Sequence, residues 1–189
     1  MFVVLEGIDG VGKSTVTRIV AETLGFVPYA TPPKEDMERR REIDLNGSPQ
    51  EKFNFFRDGV LVAATEIRQL ISEGKSVICD RYWMTTYVYH KVIGVQVTEE
   101  GFANLLQPDL TILLTASPEH QLQRLIERGM SINDTQMVPM NLQLRQEYDE
   151  LFNKELFINK NVSTDSRSAE LVAKHVMRAI KLYTGLRRA

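Results

Sequence analysis

The chain has 189 residues and a mass of 21.6 kDa, the size of one soluble domain that can bury a real core without staples. Hydrophobic residues at 43% and charged residues at 25% exclude wholesale disorder, and 23 basic against 25 acidic residues give a formal charge of −2, with no basic face to hold nucleic acid. One cysteine, Cys79, excludes an internal disulfide and, with three histidines in total, a cysteine-based zinc site; both facts fit a reducing compartment.

The amino terminus runs from Met1 straight into the apolar segment Phe2–Glu6, without the basic stretch or small-residue cleavage pattern of an export or transit peptide. No apolar run approaches the roughly 20 residues that cross a bilayer, so no membrane partner is expected and the expected location is cytoplasmic. Short apolar runs then alternate with helical patterns, which predicts an α/β fold with a parallel sheet of about five strands in a single domain over residues 1–189. In chain order the strand Phe2–Glu6 precedes a helix Lys13–Leu24 closed by Gly25, and a second strand covers Phe26–Ala30. Ser48-Pro49-Gln50-Glu51 carries an N-cap serine, a proline at the first helical position and a glutamate three residues after the cap, so a long helix runs to Glu73 with Gly74 behind it. A third strand covers Ser76–Asp80 and a fourth Leu110–Thr115. Ser117-Pro118-Glu119 opens a helix that Gly129 closes, with Leu122, Leu125 and Ile126 at helical spacing read as a core stripe. Met130–Met140 has turn formers and no period. Helices Asn141–Asn153 and Ser166–Tyr183 flank a weaker fifth strand near Leu156–Val162. His90, His120 and His175 read as surface or cap residues.

The strongest signal is Gly7-Ile8-Asp9-Gly10-Val11-Gly12-Lys13-Ser14, a G-x-x-x-x-G-K-[ST] pattern set between a strand and a helix. Glycines let backbone N–H groups turn inward around phosphates, and the helix N-terminus adds partial positive charge. Lys13 reaches the β/γ-phosphates and Ser14 offers an oxygen to Mg²⁺, so the motif fixes a nucleoside triphosphate. A second constellation, Val77-Ile78-Cys79-Asp80-Arg81-Tyr82-Trp83, ends an apolar strand in a carboxylate and a guanidinium. Ligands of open α/β sheets collect outside the carboxyl ends of the strands, so both groups should face the phosphate loop. Asp80 can hold Mg²⁺ or its waters, and Arg81 can offset the repulsion between two phosphates brought together; the alternative is a pair that merely caps the next helix.

These residues resemble the thymidylate kinase family of P-loop nucleoside monophosphate kinases. The resemblance rests on Gly7–Thr15 preceded by a glutamate, on Asp80-Arg81-Tyr82, and on Pro108-Asp109-Leu110 followed by an apolar strand and Leu122–Gly129. Within the family the chain looks most similar to the mitochondrial UMP/CMP kinase branch, through Thr31-Pro32-Pro33, Asp80-Arg81-Tyr82-Trp83, Ala64-Thr65-Glu66-Ile67 and Leu113–Glu119. The resemblance implies a three-layer P-loop kinase fold with a short lid at about residues 129–141. It also implies transfer of the γ-phosphoryl of ATP to a pyrimidine nucleoside monophosphate, dTMP first, with Mg²⁺ and as a homodimer.

Carried over by residue, the resemblance implies ATP contacts at Gly7, Gly10, Val11, Gly12, Lys13, Ser14 and Thr15, with Arg124, Arg128 and Arg145 as the matching basic residues of the lid region. It assigns the phosphate-loop acid to Asp9, the aromatic that stacks on the base to Phe55, and the small polar and aromatic residues after Asp-Arg-Tyr to Thr85 and Tyr89. Phe55 can equally serve core packing, and the three arginines a solvated helix face. The chain also departs from the family pattern. Thr31-Pro32-Pro33-Lys34 stands where many members carry Arg-Glu-Pro, leaving Arg40 or Arg41 as candidates for the acceptor phosphate. Gly59 stands where the base-reading arginine belongs, with Arg57 as a substitute only if the helix presents it, so a relaxed or shifted base preference is expected. Two other functions share these features: a deoxynucleoside kinase using Glu35 or Asp36 as base, and a nucleotide-dependent switch.

Overall fold

A computed structural model describes residues 1–33, 37–154 and 159–186. Five strands form one parallel sheet in the order β2-β3-β1-β4-β5: β1 (Phe2–Glu6), β2 (Val27–Ala30), β3 (Val77–Asp80), β4 (Leu110–Thr115) and β5 (Asn159–Ser163). Every residue of β1 and β3 is buried, as continuous apolar strands covered on both faces must be. β2 alternates between half-buried and exposed, and its Pro28, which has no N–H to give, sits in an edge strand.

The helices are α1 (Lys13–Leu24), α2 (Met37–Asn46), α3 (Pro49–Ser72), α4 (Trp83–Val92), α5 (Pro118–Glu127), α6 (Ile132–Met137), α7 (Asn141–Asn153) and α8 (Ala169–Leu186). α1 packs on α8, while α4 packs on both α3 and α7. The α3 capping box forms as its sequence predicts: Ser48 Oγ accepts from the Glu51 N–H, and Glu51 Oε2 accepts from the Ser48 N–H at 2.8 Å. Gly25 and Gly129 take the left-handed conformations that close α1 and α5.

The last helix begins at Ala169 rather than Ser166, because Ser166 has φ +50° and cannot continue a helix. The fifth strand runs on to Ser163, and the Leu156–Phe157–Ile158 part of the expected span lies outside the described residues. The supposed core stripe of α5 is corrected. Leu125 is fully buried, but Leu122 and Ile126 are exposed, since the buried positions of the helix are Gln121 and Leu125 one turn apart. The segment expected to be irregular folds as α6 and a 3₁₀ turn, Val138–Met140, because Ser131 and Asp134 make a capping box that the methionines obscure.

Candidate active site

The parallel register Leu5↔Asp80 makes β1 and β3 end side by side, so the loops that follow leave the sheet at one edge. They meet in a crevice of about 1180 Å³. At one end lies the phosphate loop. Gly7, Gly10 and Gly12 all have positive φ, and at Gly7 (φ +134°) a Cβ would overlap the Leu114 carbonyl oxygen, so only glycine lets the loop pass over β4. Lys13 is buried and donates to the carbonyls of Gly7 and Ile8, each at 2.8 Å. Burial and the repulsion of Arg81 bring its pKa down to about 8, against the pull of Asp80, Asp9 and Glu6. Gly10, Gly12, Ser14 and Thr15 line the crevice, whereas Val11 is fully buried and braces the loop from beneath.

Ser14 Oγ donates to Asp80 Oδ2, and Asp80 Oδ1 is buried without a hydrogen-bond partner. One hydroxyl beside one carboxylate with a spare oxygen fits Mg²⁺, which takes few protein ligands and keeps waters and phosphate oxygens for the rest. Among the described residues no cluster of three or more His, Cys, Asp or Glu offers a dedicated metal cage.

Arg81 stands at the centre, at φ +69°, a conformation a bulky residue rarely adopts. Its N–H donates to the Leu5 carbonyl at 2.9 Å, fixing the turn to β1. The side chain pairs with Asp9 Oδ1, bonds Thr85 Oγ1 at 3.3 Å and lies over the Tyr89 ring. Tyr89 donates its hydroxyl to Asp9 Oδ2 at 2.9 Å and accepts from the Asp9 N–H at 3.1 Å. Burial alone would raise the Asp9 pKa, but the Arg81 and Lys13 cations hold it well below the usual carboxylate range. For Arg81 burial opposes the charge, and Asp9 outweighs it, so the guanidinium stays charged.

Two residues outside the sequence-derived set hold this centre. Glu6 is fully buried, accepts from the Tyr82 N–H at 2.9 Å and Thr85 Oγ1 at 2.5 Å, and has a pKa raised by burial. Its sequence signals are a carboxylate ending an otherwise apolar strand and its place immediately before the phosphate loop. Gln121 donates to the Asp9 carbonyl at 2.8 Å and is held in turn by Arg145, which also donates to the Ala116 carbonyl. Arg145 is therefore tied beneath the loop and does not line the crevice. Arg124 and Arg128 do line it, Arg124 bonded to Thr164 and Arg128 paired with both oxygens of Asp134 at 2.8 and 3.0 Å.

The far end of the crevice is lined by Arg40, Arg41, Lys52, Phe56, Thr86 and His90. Phe55, the expected stacking aromatic, is 5% exposed, covered by Arg39 and the Phe56 ring, and does not line the crevice; Phe56 does, with the Arg40 guanidinium 5.5 Å from its ring centre. One residue is 100° of helix, which sequence alignment alone cannot resolve here. Arg57 pairs with its neighbour Asp58 at 2.9 Å and does not reach the crevice. Gly59 is packed against Pro32, whose Cβ would lie 3.1 Å from an added Cβ, so any side chain there would have to push Pro32 aside by a few tenths of an ångström. His90, expected at the surface, is 4% exposed. Glu35 and Asp36 lie outside the described residues.

Residues 5–174 match the family model described as Thymidylate kinase. A probable thymidylate kinase of Pyrococcus horikoshii is 29% identical over 91% of this chain and 94% of its own length. One of Methanocorpusculum labreanum is 35% identical over 68% and 72%. Among solved structures, thymidylate kinase from Candida albicans aligns with a TM-score of 0.82 at 19% identity, over 96% of this chain and 91% of that one. Deoxyadenosine kinase from M. mycoides aligns at 0.72 and 19%, over 96% and 99%, so the fold alone does not separate the two activities. The family match spans the phosphate loop, Asp80-Arg81, Arg124 and Arg128, and on that footing the chain belongs to the thymidylate kinase family.

Proposed function

We propose that this protein transfers the γ-phosphoryl of ATP to the phosphate of a pyrimidine nucleoside monophosphate, dTMP first. The observation that supports it best is Arg81. Its left-handed backbone swings a permanently charged guanidinium between the phosphate loop and the aromatic, cationic end of the same crevice. An acceptor phosphate is already an anion, so the reaction needs positioning and charge neutralisation rather than a general base.

In this reading the backbone of Gly10–Thr15 and Lys13 cradle the donor phosphates, and Arg124 and Arg128 line the donor side. Ser14 and Asp80 would hold Mg²⁺, which when bound neutralises charge on the β- and γ-oxygens. Arg81 spans donor and acceptor phosphates, with Asp9, Thr85 and Tyr89 fixing its direction. Arg40 or Arg41 takes the acceptor phosphate, and Phe56 rather than Phe55 carries the base. Residues 129–141 act as the lid over one domain of 189 residues. The lid contains no arginine, so Arg128, anchored to Asp134 at its edge, is the cation that lid movement would redirect. The resemblance of the sequence to the UMP/CMP kinase branch, which the relatives found do not support, leaves UMP, CMP, dUMP and dCMP as further acceptors to test. A cytoplasmic homodimer, with the exposed Leu61 and Val62 of α3 in its interface, completes the reading. No described helix is long and apolar enough to cross a membrane.

Coupled ADP release with ATP, Mg²⁺ and a panel of nucleosides and monophosphates tests it. Turnover with dTMP is expected. Turnover with nucleosides alone would show a deoxynucleoside kinase, and ADP release independent of any acceptor a switch.

A further inference from the structure

The arginine expected to read the base has no counterpart here, because Gly59 stands in its place close against Pro32 and Arg57 is turned to Asp58. The crevice nevertheless carries one polar ring beside the stacking aromatic. His90 stands one helical turn after Thr86 on α4, and its ring centre is 5.6 Å from that of Phe56. Both residues line the crevice. The His90 Nδ1 lies 2.6 Å from the Thr86 carbonyl, which can only accept, so Nδ1 carries the proton. Phe53 packs on the other contact of the ring, and Lys52 is the charged neighbour from α3. Burial and Lys52 lower the pKa of His90 against the Thr86 bond, so the imidazole is neutral. A neutral ring protonated at Nδ1 presents Nε2 as an acceptor, and among the described residues Nε2 makes no hydrogen bond.

We propose that His90 is the specificity residue of the acceptor site, its Nε2 lone pair accepting from the ring N3–H of thymine or uracil. The inference rests on the acceptor-site reading given above. A pyrimidine laid against Phe56 brings its edge within reach of an imidazole at that separation. Cytosine presents a lone pair at N3, and two facing acceptors leave both unpaired in a buried site, which favours thymine and uracil over cytosine. No arginine is needed for that choice.

The experiment compares kcat/KM for dTMP, dUMP and dCMP in the wild type, His90→Leu and His90→Gln. The wild type is expected to prefer dTMP and dUMP to dCMP. In both variants that preference should fall about tenfold or more, with the KM for ATP unchanged. The glutamine variant keeps a polar side chain of similar length should the leucine variant fail to fold. As a readout on the intact protein, the ¹⁵N resonance of His90 Nε2 should move on adding dTMP and stay in place on adding dCMP. An unchanged base ratio in His90→Gln, a wild type that prefers dCMP, or an Nε2 resonance indifferent to dTMP each overturns the proposal while monophosphate turnover persists. Absence of any monophosphate turnover in the wild type overturns the acceptor-site reading, and this inference with it.

Discussion

Raising the pH should weaken ATP binding through Lys13, and the size of the effect follows from its surroundings. In the free protein burial and Arg81 hold its pKa near 8. A bound triphosphate supplies the counter-charge that the loop carbonyls cannot, returning the pKa to its ordinary value near 10.5 or above. The charged lysine is thus favoured by the complex, so the affinity is complete below pH 8 and is lost as pH rises through that value. At pH 7 about nine-tenths of Lys13 is charged and at pH 9 about one-tenth, so Kd should rise about tenfold between them, about 1.4 kcal/mol. Asp9 is held low, Arg81 and Tyr89 are held high, and the phosphates ionise at about pH 6. Titration calorimetry with ATP and Mg²⁺ in buffers of different ionisation enthalpy reads both quantities: the Kd and an uptake approaching one proton between pH 8 and 10. Lys13→Met should bind weakly and flatten both curves. A Kd constant from pH 7 to 9.5, or no proton uptake, refutes the reasoning.

Arg81→Ala should lower kcat by about 10² to 10³ while leaving the Kd for ATP within a few-fold, because the guanidinium is placed between the phosphates rather than under the donor. Steady-state kinetics beside calorimetry separates the two effects. Phe56→Ala should raise the KM for the monophosphate about tenfold, with the KM for ATP unmoved. Phe55→Ala should instead cost about 3 kcal/mol in denaturant unfolding, with both KM values intact. Gly7→Ala, which must push a Cβ into the Leu114 carbonyl at φ +134°, should lose about 3 kcal/mol and lower Tm by about 10 °C. Asp134→Ala should unpair Arg128 and undo the α6 capping box, and a raised KM for ATP with unchanged Tm would show that the pair serves the lid rather than the fold.

Local signals carried the reading wherever one residue's chemistry depends on its immediate neighbours. A glycine-rich turn before Lys13-Ser14 cradles anions in any strand-to-helix setting. The Ser48-Pro49-Glu51 cap makes its own hydrogen bonds, and the apolar runs of β1, β3 and β4 are continuous because both sheet faces are covered. Those features set the fold class, the donor end of the crevice and the carboxylate and guanidinium beside it.

The far end of the crevice was decided by packing between elements far apart in the chain. Whether Phe55 or Phe56 faces the crevice depends on the rotation of α3, whose Gly59 lies close against Pro32. Arg145 is a strut because Gln121, 24 positions earlier, lies under the phosphate loop. His90 is buried because the α3 aromatics Phe53 and Phe56 close over it. The sequence by itself determined that phosphates are held and with what charge. Only the tertiary structure decided which face of each helix looks into the crevice, because that rotation is set by long-range contacts no local pattern records.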